Sequence, residues 1–182
     1  MVSGVAAAVP SGGAFKTMTL RKHLNHETPH WVTPDADYFV TLCAEPRKQN
    51  HFCQPVTGKA VLDSIRIYHE KQIWYCHVAV LMPDHIHLIV CFGPDKMLSQ
   101  VVGLWRRGLA RNHGISWQRN FFEHRLRNEE NVQQKADYIL YNPVRAGLIE
   151  NLQDWPYTWM PGDQTTAARD SGGYQKDTSS PS

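Results

Sequence analysis

The chain has 182 residues, 42% of them hydrophobic, which is enough apolar material for one globular core and little for a second. Nineteen Lys and Arg against 17 Asp and Glu leave a formal net charge of +2, which excludes a strongly basic coating protein and an acidic disordered chain. No stretch approaches the ~18 consecutive apolar residues of a membrane span, so no membrane partner is expected.

In chain order, residues 1–20 are small and Gly-rich at their start, and residues 161–182 are dominated by Gly, Ser, Thr and Asp. Such compositions bury too little surface to order on their own and predict disordered tails around one domain over 21–160. The opening residues lack a basic segment and their apolar stretch stops at Pro10, which argues against a secretory signal. Tyr38 to Cys43 reads as a strand, and Val56 to Gln72 as a helix with Val61, Ile65 and Tyr68 at helical spacing. Ile73 to Met82 and His85 to Phe92 follow as two apolar strands joined by the turn dipeptide Pro83-Asp84. Met97 to Asn112 is a second helix, with Leu98, Val102, Trp105 and Leu109 on one face and Arg107 and Arg111 on another. After a short extended piece, Glu129 to Asn142 is a third helix, acidic in its first turn and followed by Pro143. This order fits an α+β fold, a split βαβ arrangement in which helices back an antiparallel sheet. The cysteines Cys43, Cys53, Cys76 and Cys91 show no metal-type spacing and read as small packing residues of a cytoplasmic protein.

The chemistry-bearing pattern lies in the apolar run Met82-Pro-Asp-His-Ile-His-Leu-Ile-Val90. Residues two apart on a strand share a face, so His85 and His87 project together while Ile86, Leu88 and Val90 point the other way. Two strand histidines serve as hydrogen-bonded core residues as often as ligands. On a central strand, however, a bound cation would offset the cost of burying both imidazoles. On the third helix Val132, Ala136, Ile139 and Leu140 form the apolar stripe, and Tyr138 and Asn142 fall one turn apart on a flank with Gln134 and Lys135. That spacing offers a nucleophile and a third ligand; the plainer alternatives are an amphipathic packing tyrosine and an Asn-Pro helix stop. Basic residues gather at Arg21-Lys22, at Arg106, Arg107 and Arg111, and at Arg119, Arg125 and Arg127, interleaved with Trp105, Trp117, Phe121 and Phe122. Cations beside flat aromatics suit backbone phosphates and unstacked bases, the alternatives being a solvated helix face and core packing.

Two segments carry a resemblance. Leu81-Met-Pro-Asp-His-Ile-His-Leu-Ile89 and Asp137-Tyr-Ile-Leu-Tyr-Asn-Pro-Val-Arg-Ala-Gly-Leu148 resemble the paired motifs of the single-tyrosine HUH transposases, specifically the REP-associated tyrosine transposases. His30-Trp31 ahead of Tyr38-Phe-Val-Thr41, Trp117-Gln-Arg-Asn-Phe-Phe-Glu-His124 and Asp154-Trp-Pro-Tyr157 resemble family segments in the same order. The resemblance implies a ferredoxin-like or RRM-like domain over about residues 20 to 160. It implies His85 and His87 as metal ligands with Asn142 as the third, a divalent cation such as Mg2+ or Mn2+, and Tyr138 as nucleophile. Related insertion-sequence enzymes carry Gln where Asn142 stands, and many relatives carry Asn where Asp84 stands. The implied activity is a metal-dependent, sequence-specific single-stranded DNA endonuclease and strand transferase. It would act at palindromic, REP-like hairpins through a 5′-phosphotyrosine intermediate, in the cytoplasm and in association with the nucleoid. DNA contacts would fall to Arg21, Lys22, His30, Trp31, Arg106, Arg107, Arg111, Trp117 and Arg119. Insertion-sequence relatives self-associate by exchanging the tyrosine helix, while the REP-associated type can act alone; self-association, and whether Tyr138 meets its own chain's histidine pair, stay open. Two rival functions share the same residues: a non-catalytic single-stranded nucleic-acid-binding module, and a metallohydrolase that activates water and uses Tyr138 only for packing.

Overall fold

The computed structural model describes residues 28–33, 36–126 and 129–162, with side chains described everywhere in these ranges except 129–131. The tails expected over 1–20 and 161–182 lie outside the described residues save for positions 161 and 162, as do Arg21 and Lys22. Five strands and four helices follow one another as β1 (Asp37–Cys43), α1 (Pro55–Glu70), β2 (Tyr75–Met82), β3 (His85–Cys91), α2 (Leu98–His113), β4 (Phe122–Leu126), α3 (Glu129–Leu140), α4 (Asn142–Arg145) and β5 (Thr158–Trp159). The sheet order is β4-β1-β3-β2-β5 with every neighbouring pair antiparallel. β3 thus occupies the centre, flanked by β1 and β2, and α1 and α2 are the crossovers that join β1 to β2 and β3 to β4. This is the ferredoxin-like α+β arrangement.

Right-handed crossovers deliver α1 and α2 to one face of the sheet. Their adjacency is sealed by a hydrogen bond from the Trp105 indole of α2 to the Ser64 hydroxyl of α1 at 3.0 Å. The strand residues of that face, Val40, Leu42, Ile86, Leu88 and Val90, are all fully buried. α3 packs against β2, β3 and β4. It lies on the opposite face, where the Lys135 ammonium stands 4.5 Å from the centroid of the Phe39 ring. The sheet is therefore sandwiched, and β2 is buried along its whole length.

The segment after α4 clamps the outer edge. Trp155 donates its indole N–H to the Leu81 carbonyl at 2.9 Å, and β5 pairs with β2 through Ala79 and Val80. Gly58 permits this closure: a Cβ there would stand 2.5 Å from the Tyr157 ring and 2.8 Å from the Phe52 carbonyl, closer than real contacts allow.

Three local departures from the sequence reading have physical causes. The expected helix through Asn142 ends at Leu140, and Asn142 opens a separate turn with Pro143 in its first positions. Proline lacks the N–H that an uninterrupted helix would need there but fits a helix start. β5 is only two residues long, too short to show a period. Finally, β2 carries a bulge between Cys76 and Val78, which breaks the simple alternation around His77.

Candidate functional site

His85 and His87 stand side by side on the α3 face of β3, ring centroids 4.8 Å apart and planes at 81°. The register places Thr41 of β1 directly opposite His87, so both side chains share that face. The Thr41 hydroxyl lies 2.9 Å from His87 Nδ1. His85 Nδ1 is held 2.7 Å from Asp84 Oδ1. The second Asp84 oxygen accepts the Lys48 backbone N–H at 2.7 Å and lies 3.0 Å from Arg47 Nε. Burial pushes the Asp84 carboxyl up, but the hydrogen bonds from His85 and Lys48 and the nearby His85 and Arg47 charges outweigh it and hold the group below the usual carboxylate range. Both Nδ1 atoms are thereby engaged, and among the described residues neither Nε2 has a protein partner. A carboxylate or hydroxyl behind a histidine, with the far nitrogen free, is the outer-shell arrangement that orients metal-binding imidazoles.

Burial drives His87 down to about 3, with the His85, Lys135 and Arg145 charges adding to the effect. At neutral pH His87 is therefore an uncharged imidazole with a lone pair to offer. Phe39, two residues along β1 from Thr41, stacks on the His87 ring at 5.5 Å and 25°.

The helix above completes a continuous group. Lys135 lies between the Phe39 ring and the Tyr138 ring, 4.5 Å from the first centroid and 5.0 Å from the second. Tyr138 is half exposed, at 49%, as its flank position on the wheel predicts. Arg145 also stands over the ring, 3.9 Å from its centroid, and donates to the Tyr138 carbonyl at 2.7 Å. The same guanidinium donates to Asn142 Oδ1. The amide oxygen expected as a third ligand already accepts from Arg145, which leaves its second lone pair for a cation. His85, His87 and Tyr138 are brought to one face of the sheet; Asn142 accompanies them engaged.

The other expected DNA contacts are dispersed. Arg107 and Arg111 project from the exposed side of α2, across the sheet from the histidine pair. Arg106 stacks over Trp117 and Phe121 and donates to the Gln118 carbonyl. Trp117 packs on Phe52 with centroids 5.3 Å apart and gives its indole N–H to the Arg106 carbonyl, so its faces are occupied by the protein. Arg119 is exposed, next to Gln118, whose N–H bonds the Cys43 carbonyl at the end of β1 that pairs with His85. His30 is exposed, and Trp31 packs with Val32, Tyr75 and Cys91 at the opposite end of β3.

Thr41 and Arg145 fall within the family-like segments but receive no role from the sequence, because only the β1–β3 register and the turn at Pro143 bring them to the site. A second cluster was equally hidden. Asp37, His77 and Cys91 bring one potential ligand atom each within 4.8 Å of one another. Cys91, read as a plain packing residue, is part of a polar group.

No protein-family model matches the chain. In sequence it is similar to a Haemophilus influenzae protein that carries the name of the REP-associated tyrosine transposases, 28% identical over 141 residues that span 66% of this chain and 77% of that one. It is also similar to the REP-associated tyrosine transposase of Escherichia coli, 33% identical over 86 residues, 43% of this chain and half the length of that relative. In fold it matches the solved structure of a REP-associated tyrosine transposase bound to a REP hairpin, with a TM-score of 0.61 at 23% identity, over 72% of this chain and 81% of that one. No described helix is long and apolar enough to cross a membrane.

Proposed function

We propose, from this chain's similarity in sequence and fold to the REP-associated tyrosine transposases, that it is a divalent-cation-dependent nickase and strand transferase of single-stranded DNA at palindromic hairpins. The observation that carries the reading is the unbroken series His87, Phe39, Lys135, Tyr138, which joins a metal-type histidine pair to a half-exposed phenol on the helix packed over it. Tyr138 is the nucleophile. His85 and His87, through their Nε2 atoms, and Asn142, through its amide oxygen, would hold Mg2+ or Mn2+. The donor set can take a divalent cation, two oriented imidazoles, one of them uncharged at neutral pH, and an amide oxygen, but the imidazoles do not select Mg2+ over Mn2+ or Zn2+. When bound there, a divalent cation supplies Lewis-acid polarisation of a phosphate oxygen.

The chain's own groups do the rest. Tyr138 Oη attacks the scissile phosphorus, the bond from phosphorus to the 3′-oxygen breaks, and that oxygen leaves as a 3′-hydroxyl once it takes up a proton. The DNA remains joined as a 5′-phosphotyrosine. Attack by a 3′-hydroxyl on that ester reverses the step and regenerates the phenol, so strands rejoin without an external energy source. Lys135 and Arg145 flank the phenol with positive charge and draw the phosphate to it. α3 packs over its own chain's sheet, which supports action of Tyr138 with the histidine pair of the same chain. Arg119, exposed near the His85 end of the sheet, would follow the DNA backbone there. Work on DNA hairpins would place the protein in the cytoplasm with the nucleoid.

The test is to incubate wild-type protein and Tyr138→Phe with end-labelled hairpin DNA, with Mn2+ or with chelator, and to resolve the products under denaturing conditions. A covalent protein–DNA band that needs both metal and Tyr138 is expected. Cutting that survives in Tyr138→Phe with no covalent band would mean a metallohydrolase, and tight binding without cutting would mean a binding module.

A further inference from the structure

At the other end of the same sheet face, Asp37 of β1, His77 of β2 and Cys91 of β3 converge. His77 Nε2 lies 2.6 Å from Asp37 Oδ1 and 3.7 Å from Cys91 Sγ. His77 and Cys91 are buried, at 5% and 1% exposure, while Asp37 keeps an opening to the surface. The meeting depends on the β2 bulge. From Met82 through Val80 to Val78, β2 residues pair with His85, His87 and Ile89 and share their face. Strict alternation would send His77 to the opposite face with Ala79 and Leu81. The extra residue reverses the parity, so that Tyr75 instead of Cys76 stands opposite Cys91, and the His77 ring turns toward Asp37 and Cys91.

A Cys, a His and an Asp together also suggest a nucleophilic triad, but the geometry is wrong for one. In a triad the acid holds one ring nitrogen and the nucleophile uses the other. Here carboxylate and thiol both address Nε2, and the thiol is sealed from any substrate. Three different donor atoms that converge on one point are the layout of a chelate.

We propose that Asp37, His77 and Cys91 form a second metal site, which takes Zn2+ through one oxygen, one nitrogen and one sulfur and leaves the fourth tetrahedral position to solvent. A mixed O, N, S set suits zinc over the hard ions expected at an imidazole and amide site. The separation of Nε2 and Sγ is already that of two ligands on one tetrahedral ion; the Asp37 carboxylate must draw back from its hydrogen bond, and the proton that Nε2 donates in it must move to Nδ1 or to solvent so that Nε2 can ligate. Cys91 must give up its proton on binding; burial, followed by the nearby Asp37 charge, pushes the free thiol up, so uptake strengthens as pH rises. The site would pin the three innermost strands at the end remote from His85. Along β3, Cys91 lies four residues from His87, on the order of 13 Å, so the two sites fill independently.

Full-length protein stripped with chelator should be titrated with Co2+ and Zn2+, because a thiolate bound to Co2+ gives a near-ultraviolet charge-transfer band that imidazole and amide ligands do not. The His85→Ala, His87→Ala double variant is expected to show the band saturating at one equivalent and to gain thermal stability with Zn2+; wild type, whose histidine pair also takes these ions, is expected to show the same band over as many as two equivalents. Cys91→Ser is expected to lose the band, and in the double-variant background to lose the Zn2+ stabilisation as well. Asp37→Asn, which keeps the size of the side chain, should weaken Zn2+ uptake at least tenfold and serves as the reporter if Cys91→Ser does not fold. Absence of the band from wild type, its persistence in Cys91→Ser, or unchanged Zn2+ uptake in Asp37→Asn would overturn the assignment.

Discussion

The Arg145 guanidinium lies 3.9 Å from the centroid of the Tyr138 ring while it donates to the Tyr138 carbonyl and to Asn142 Oδ1. One side chain thus restrains the proposed nucleophile, the end of its helix and the proposed third ligand. The carbonyl contact also satisfies one of the terminal acceptors that α3 leaves open. Replacing Arg145 by Ala is expected to slow single-turnover cleavage of hairpin DNA by about tenfold or more, which corresponds to ~1.4 kcal/mol of lost transition-state interaction. Arg145→Lys should recover charge without the planar contacts and so restore only part of the rate. A rate unchanged in Arg145→Ala would leave Arg145 as a helix cap alone.

Thr41 touches neither Tyr138 nor any position where DNA would react, yet its hydroxyl orients His87. Thr41→Val keeps the branched shape that suits β1 and removes that contact. The Mn2+ concentration for half-maximal cleavage should rise by roughly tenfold, the usual scale for the loss of an outer-shell partner. The maximal rate at saturating metal should change less. Asp84→Asn is expected to be milder, because the amide oxygen can still accept from His85.

The two sets of basic residues on opposite sides of the sheet should separate in salt titrations. Lys135 stands beside the Tyr138 ring, whereas Arg107 and Arg111 face away across the sheet. For single strands each neutralised phosphate contributes about 0.7 to the slope of log affinity against log salt. Lys135→Ala should reduce that slope by about this amount; the Arg107→Ala, Arg111→Ala pair should leave it unchanged if the DNA lies only on the histidine face. A loss of slope in the pair instead would extend the DNA path around α2.

Burial lowers His87 to about 3, and burial also lowers His69, whose Nδ1 accepts the Cys76 N–H at 3.2 Å. An unfolded histidine takes up a proton near ~6.5. Below that value the unfolded chain binds more protons than the folded one, so stability falls with pH. The contribution of neutral His87 is complete above ~6.5 and is lost progressively down to its folded value. Between pH 7 and 5 this amounts to on the order of 2 kcal/mol for His87. Urea midpoints of the metal-free protein should drop over that interval, and His87→Gln should flatten the dependence. An equal slope in His87→Gln would show that other groups set the acid sensitivity.

Much of this molecule is written in local pattern. Alternation along the run from Met82 to Val90 is a property of the strand itself, so the shared face of His85 and His87 could be read without knowing what lay across from them. The helix period likewise set Ala136 and Ile139 inside and Tyr138 on a flank, and both are as expected. The order of strands and helices led to the ferredoxin-like sheet because right-handed crossovers leave few ways to fold that order. Asp84 serves its neighbour His85 locally, but tertiary structure alone decided which residues serve His87 and His77. Thr41 meets His87, and Asp37 meets Cys91 and His77, through strand register and one bulge, neither of which has a local signature in this chain. The same holds for Arg145, brought back onto Tyr138 by a turn at Pro143, and for Trp117, whose faces are filled by Phe52 and Arg106. Periodicity is set by the geometry of one segment; partnership depends on how separate segments meet, and that geometry appears only once the chain has closed on itself.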